Sequence, residues 1–115
     1  MGKSKFLKPD ITTSQDLSAG ALSYTTSIPT GFQLEEIHFH FDTDVTETIT
    51  ITLDSKNGAN YDTVLRTINV YAENDAVYNP VKKVNYAAGD QIKVACTNAN
   101  LTGNVYVTIK VSEIS

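Results

Sequence analysis

Two histidines separated by one residue stand in the most regularly alternating stretch of this chain. In His38-Phe39-His40 the two imidazoles occupy positions i and i+2. Residues two apart on a β-strand point to the same face, so the two rings could share one metal ion. Asp42 follows in the same phase and could add a carboxylate. His38 and His40 are therefore the candidate metal ligands, and the alternative is a solvated pair on a polar strand face.

The same stretch partly resembles the first motif of the cupin family, in which a glycine, a His-x-His and a carboxylate supply most of a metal site. Gly31, His38, His40 and either Asp44 or Glu47 stand at roughly the corresponding positions. The second cupin motif brings a third histidine, whereas this chain contains only two. A cupin-like metal protein is therefore a remote alternative, and we expect no cofactor.

Strict alternation on both sides of a short polar segment predicts two strands, each buried on one face. We expect an antiparallel hairpin with residues 42–46 as its link. Leu34 is out of phase with the apolar residues that follow it, so we expect a β-bulge near Glu35 and Glu36. The apolar members of the two strands are Ile37, Phe39, Phe41, Ile49, Ile51 and Leu53.

Shorter alternating runs recur along the rest of the chain, separated by Gly, Pro, Asn and Asp. A chain of 115 residues is close to the commonest domain size. About eight strands without helical periodicity predict an all-β fold, a single-domain antiparallel β-sandwich of the jelly-roll type. The further runs cover residues 10–17, 21–28, 63–70, 81–86, 91–97 and 105–111, whereas residues 71–80 are mixed and polar.

The charge is unevenly distributed. Lys3, Lys5, Phe6 and Lys8 lie within residues 1–9, which we interpret as a basic N-terminal arm, either disordered or anchored on a neighbouring molecule. The sandwich domain then covers residues 10–115. The chain as a whole has a net charge of −4. This acidity argues against nucleic acid as a partner, because phosphate contacts need clustered Lys and Arg.

Several classes of protein are disfavoured by the residues present. The sequence contains no run of 18 apolar residues, so it predicts no membrane-spanning helix. Cys96 is the single cysteine, so no intrachain disulfide forms, and its phase with Ile92 and Val94 predicts a buried thiol. The Gly-x-Ser-x-Gly motif is absent, and no third histidine could activate Cys96 or a serine. We therefore expect the chain not to be an enzyme.

Five segments carry a second resemblance. They are Ser-Ala-Gly-Ala-Leu-Ser-Tyr at 18–24, Ile-Pro-Thr-Gly-Phe at 28–32, Thr-Ile-Thr-Leu-Asp-Ser at 50–55, Tyr-Asp-Thr-Val-Leu-Arg at 61–66 and Ala-Gly-Asp-Gln-Ile-Lys-Val at 88–94. Together with the histidine strand, they resemble small β-sandwich proteins of tailed-bacteriophage virions, namely head-decoration and auxiliary capsid proteins. The resemblance covers roughly residues 10–112.

This resemblance implies a structural virion protein without catalysis. It implies a compact sandwich, often trimeric, that binds the major capsid protein and decorates or cements the capsid exterior after synthesis in the host cytoplasm. The resemblance assigns no role to individual residues; from the charge and apolar character of the arm itself, we hypothesise that Lys3, Lys5, Phe6 and Lys8 dock on an acidic, partly apolar patch of the capsid protein. The alternative is a tail or head-fibre component or a glycan-binding adhesin.

Overall fold

The computed structural model describes the backbone of residues 5–114 and the side chains of residues 7–114. Within that range the chain forms eight β-strands and one turn of 3-10 helix at Ala59–Tyr61. No helix in this part of the chain is long and apolar enough to cross a membrane. The strands are β1 (Lys5–Leu7), β2 (Ile11–Asp16), β3 (Leu22–Ser27), β4 (Phe32–Asp54), β5 (Thr63–Tyr78), β6 (Asn85–Tyr86), β7 (Gln91–Cys96) and β8 (Asn104–Ile114).

The long strands β4 and β5 form a bent hairpin that belongs to both layers of a β-sandwich. Strand β5 lies along one edge of β4. The opposite edge is shared, since residues 32–41 pair with β8 and residues 49–54 pair with β7. Strands β1 and β2 extend the first layer beyond β8, and β3 extends the second beyond β7. Every pairing is antiparallel, and the predicted all-β sandwich, consistent with a jelly roll, is confirmed.

The core lies between the layers and is built mainly from the inward positions of three strands. Alternate residues of β4, β7 and β8 are buried, because successive side chains of a strand point to opposite faces. Cys96 is among the buried residues, as predicted. The largest fully buried side chains include Phe32, Phe39, Phe41, Leu34, Ile37, Ile49, Ile51, Ile92 and Ile109.

The predicted bulge near Glu35 and Glu36 is confirmed. The register between β4 and β8 shifts between Leu34 and Glu36. The extra residue changes the phase of the strand, so that Leu34 and Ile37 both point into the core. The bulge thereby sets which face of β4 carries the histidines.

The predicted hairpin with residues 42–46 as its link is wrong. Strand β4 continues through this segment, and its hairpin partner is β5. Val45 and Glu47 are buried in the same phase as Phe39 and Phe41, and the alternation of burial is interrupted only at Thr43, which is exposed. The polar residues bend the strand without reversing it, because register shifts beside Val45 loosen its pairing with β5.

Two other boundaries differ from the sequence prediction. Strand β5 runs on to Tyr78 through the polar residues that followed the predicted strand 63–70. It lies at the edge of both layers, where solvent reaches one side and polar residues are tolerated. The strand expected over 81–86 is reduced to Asn85–Tyr86, and the residues before it form an exposed loop.

The N-terminal segment joins the edge of the first layer. The backbone of Lys5–Leu7 pairs with residues 112–114 of β8, and the Lys8 amide donates to the Val111 carbonyl at 3.0 Å. Lys3 lies outside the described residues. Strand β2 then continues the same edge, which confirms the edge strand predicted over residues 10–17.

Candidate functional site

The two histidines lie on the outward face of the first layer. His38 and His40 alternate with the buried residues Ile37, Phe39 and Phe41, so both imidazoles reach the surface. The ring planes are tilted by 52° and their centroids are 6.5 Å apart. The predicted common face of the histidines is confirmed.

A carboxylate from β5 joins the pair. Asp75 lies opposite His40 in the register between β4 and β5. Its Oδ1 atom lies 2.9 Å from Nε2 of His38 and 3.0 Å from Nδ1 of His40. The hydrogen bonds from His40 and then His38 lower the pKa of the Asp75 carboxyl below its ordinary value. Because each imidazole needs only one N–H to make its bond, the cluster is satisfied with both rings neutral.

The carboxylates considered beside the histidines do not complete a metal site with them. Asp42, suggested by its phase, accepts hydrogen bonds from the Asn104 side chain and backbone amide, which lower the pKa of its carboxyl. Of the two carboxylates that the cupin resemblance implied, Asp44 is exposed at the bend of β4. Glu47 points into the sandwich, and Gly31 packs against backbone carbonyls at the far end of β4. Within residues 5–114 no group of three or more His, Cys, Asp and Glu side chains has a geometry that could hold a metal ion. One nitrogen of each imidazole is instead hydrogen-bonded to the same oxygen, Oδ1 of Asp75.

The histidines belong to a wider polar surface with one exposed aromatic ring. Tyr106 of β8 lies opposite His40 on one side and Ser14 of β2 on the other, so these residues form a row across the first layer. The Tyr106 side chain is 49% exposed. A groove of about 410 Å³ runs between β2 and β8 along this row. This surface therefore combines an exposed aromatic ring with hydroxyl, imidazole and carboxylate groups.

A buried carboxylate organises the loop between β7 and β8, and the sequence pattern gave no sign of it. Glu47 is 3% exposed. Its Oε1 accepts hydrogen bonds from Thr97 Oγ1 at 2.7 Å and from the Ala99 amide at 2.8 Å. Its Oε2 accepts one from the Asn100 amide at 3.0 Å. Three donors on one carboxylate hold the loop against the bend of β4.

Two exposed apolar side chains flank this bend. Tyr71 is 77% exposed and Leu101 is 64% exposed. The neighbouring Ala72 and Leu101 itself have φ angles of 50° and 53°, a region that residues other than glycine seldom adopt. A mainly apolar depression of about 430 Å³ lies here, lined by Thr46, Glu47, Thr48, Asn69, Val70, Tyr71, Thr97 and Ala99. Exposed apolar residues on a strained backbone are the pattern of a contact surface.

Two further candidate residues, Cys96 and Lys8, interact with other residues of the chain. Burial, and after it the charge of Glu47, raises the pKa of the Cys96 thiol to about 12, which leaves it protonated and unreactive. The Lys8 ammonium lies 3.4 Å from Glu113 Oε2 at the edge of the first layer.

Comparison with known proteins gives distant structural likenesses. No protein-family model and no curated protein matches the chain. A chain from the structure of infectious bursal disease virus Gx strain is 12% identical, with a TM-score of 0.45 over 97% of this chain and 36% of the viral chain. This chain therefore spans about a third of that viral chain.

Two further structures match along most of their own length. CBM29-2, a family 29 carbohydrate-binding module, was solved as a mutant complexed with cellulohexaose; it is 13% identical with a TM-score of 0.41, over 98% of this chain and 80% of the module. PirA is 10% identical with a TM-score of 0.37, over 100% of this chain and 94% of PirA. Likenesses at these TM-scores carry no information on function.

Proposed function

We propose that this chain is a structural protein of a virus particle, which binds the protein lattice of a tailed-phage capsid from the outside and decorates or cements it as a trimer. The observation that carries the proposal is a set of large apolar side chains left on the surface of a body whose core is complete. Val81 is fully exposed, and Tyr71, Leu7 and Leu101 are mostly exposed. Of these, Tyr71 has an exposed aromatic ring of a type that is enriched in surfaces that bind other proteins.

The free edge of β5 supports the same proposal. Strand β5 pairs with β4 on one side only, so its other edge presents unpaired backbone groups. Natural edge strands are often shielded by charged side chains, proline, β-bulges or a short length. Strand β5 is 16 residues long and contains no proline, and its residues 67–72 include no charged side chain. A partner protein in the particle would cover this edge.

The partner in this proposal is the major capsid protein, and the basic arm contributes to the contact through Lys3, Lys5, Phe6 and Lys8. We expect no catalysis, since the thiol of Cys96 is buried and both histidines are engaged with Asp75.

Co-sedimentation with capsids that lack the protein tests the proposal. Wild-type protein should pellet with the capsids and saturate at a fixed ratio to the capsid protein. A triple variant, Lys3→Gln, Lys5→Gln and Lys8→Gln, should bind at least tenfold more weakly, while a control with Lys56→Gln, Lys93→Gln and Lys110→Gln loses the same charge elsewhere and should bind normally. Absence of wild-type protein from the pellet would refute lattice binding, and equal binding by both variants would remove the arm from the contact.

Glycan binding is the second candidate, favoured by the outward face of the first layer. Tyr106 supplies an exposed ring in a row with Ser14, His40 and Asp75, beside the groove along β2. A glycan array followed by calorimetry tests it. If the protein binds glycans on this face, the wild-type protein should bind a glycan on the array. The Tyr106→Ala variant should lose this binding, and the exposed control Tyr61→Ala should retain it. An array on which the wild-type protein binds nothing would exclude glycan binding.

A further inference from the structure

One end of this protein contains several carboxylates and no lysine or arginine. Four ranges meet at the bend of β4: residues 12–22, 38–50, 67–76 and 94–107. Hydrogen bonds between them join Leu17 to Gly103 and Thr46 to Asn100. None of the nine Lys and Arg residues falls in these ranges. Six carboxylates do, namely Asp16, Asp42, Asp44, Glu47, Glu73 and Asp75. We call this part of the molecule the acidic end.

The rest of the described chain is balanced. Among residues 7–114, it holds seven basic and seven acidic residues and is neutral, whereas the acidic end carries −6. Two acidic ends repel each other, so contact of the acidic end with a different part of a second copy is favoured over contact between two acidic ends.

The acidic end offers a receptor for an apolar side chain. The depression beside Tyr71 is mainly apolar and lies at the bend of the β4–β5 hairpin. Asp44 and Glu73 are exposed, each two residues along the chain from a residue that lines it. A small apolar group flanked by a positive charge would fit this arrangement.

The opposite half of the molecule presents a segment with that chemistry. Residues 79–84, between β5 and β6, form a loop that we call the valine loop. Val81 is completely exposed at its tip, and Val84 is half exposed. Lys82 is exposed beside Val81, whereas Lys83 is held by Glu35, with its Nζ 2.9 Å from the backbone carbonyl oxygen. Val81 and Lys82 thus place an apolar group and a positive charge side by side on the surface.

We propose that the valine loop of one copy inserts Val81 into the depression beside Tyr71 of a second copy, with Lys82 facing Asp44 and Glu73. The contact is heterologous, since it joins two different surfaces of the same chain. Heterologous contacts close into rings when the rotation between copies allows it, and a trimer is one such ring. The contact needs no lattice, so its test is independent of the capsid experiment.

Two variants that each lose one side of the contact provide the test. The depression variant carries Tyr71→Ser and Glu73→Gln, and the loop variant carries Val81→Ser and Lys82→Gln. Two controls make the same changes at other exposed positions: Tyr61→Ser with Asp10→Asn, and Val64→Ser with Lys56→Gln. Circular dichroism and urea midpoints establish that all four fold. Mass is measured by light scattering after size exclusion at low and high salt.

Wild-type protein and both controls should form oligomers that dissociate at least tenfold more readily at high salt. Each contact variant alone should elute as a monomer of 12.5 kDa. An equimolar mixture of the two should form a 1:1 complex of 25 kDa (2 × 12.5 kDa), because one intact loop meets one intact depression. The proposal is overturned by a monomeric wild type, by contact variants that still assemble, or by a mixture that stays monomeric.

Discussion

Removal of the buried Glu47 carboxylate should be among the most destabilising single changes in this protein. The Glu47→Ala variant deprives the Ala99 and Asn100 amides of their acceptor, as well as the Thr97 hydroxyl. Hydrogen bonds to a charged group contribute about 1.5–3 kcal/mol each, but residues 99 and 100 are exposed and water can replace the lost acceptor, so the two amides predict a loss of about 2–4 kcal/mol. Water that enters the vacated volume gives the lower figure. A small domain has a total stability of roughly 5–15 kcal/mol, so the loss is a large fraction of it.

Urea titration followed by circular dichroism measures the effect. A loss of 3 kcal/mol lowers the midpoint by about 1–3 M at an unchanged slope. Glu47→Gln keeps one acceptor oxygen, but its amide NH₂ group then faces a backbone N–H, and two donors cannot bond each other. Its free energy of unfolding should therefore fall by about 1–3 kcal/mol. Glu36→Ala, which removes a carboxylate outside the loop and outside the proposed contact, is the control and should stay within about 0.5 kcal/mol of wild type. A Glu47→Ala midpoint equal to that of Glu36→Ala would show that the carboxylate does not organise the loop.

Three further outcomes are expected. Gly103→Ala should lower the free energy of unfolding by about 1–3 kcal/mol, because the φ of Gly103 is +85° and a Cβ there would lie 2.8 Å from Thr43 Cγ2. Gly20→Ala has room for the methyl group and should be near neutral. Equal urea midpoints for the two variants would contradict this prediction. The pKa of the Asp75 carboxyl is lowered, so its contribution to folding stability is present above the unfolded-state pKa of about 4 and is lost as the pH falls through the folded-state pKa. Asp75→Asn should therefore reduce the loss of stability that acid causes in the wild-type protein. An unchanged acid dependence of stability would refute this. Cys96 should resist thiol reagents in the native state and react fully in urea, and rapid native labelling would contradict its burial.

The local features of the fold were predictable and the distant ones were not. The phase break at Leu34 located the bulge, because a strand with one buried face must restore its alternation. Polar residues 42–46 were mistaken for a turn, although a strand at a bend exposes similar residues. The common face of His38 and His40 followed from their spacing. Their partner Asp75 lies 35 and 37 positions away, and only the register of β5 brings it to them.

Glu47 illustrates the same limit. A glutamate in a run of threonines has the composition of an outward position, yet the phase of β4 turns it inward. Its burial depends on amide donors from a loop about 50 residues later in the chain. No local pattern encodes such a partner, so the sequence alone did not distinguish it from its solvated neighbours.

The bent hairpin has a kinetic consequence. Because β4 is a member of both layers, neither layer is complete without it, and the sandwich should unfold at equilibrium in one cooperative transition. The loop that joins β4 to β5 covers only residues 55–62, so this hairpin can close before β8 docks on β4, which must bring together residues about 70 positions apart. A slow refolding phase set by that distant strand pairing would leave the edge of β4 transiently open. Newly made chains would therefore be most prone to aggregate before β8 arrives.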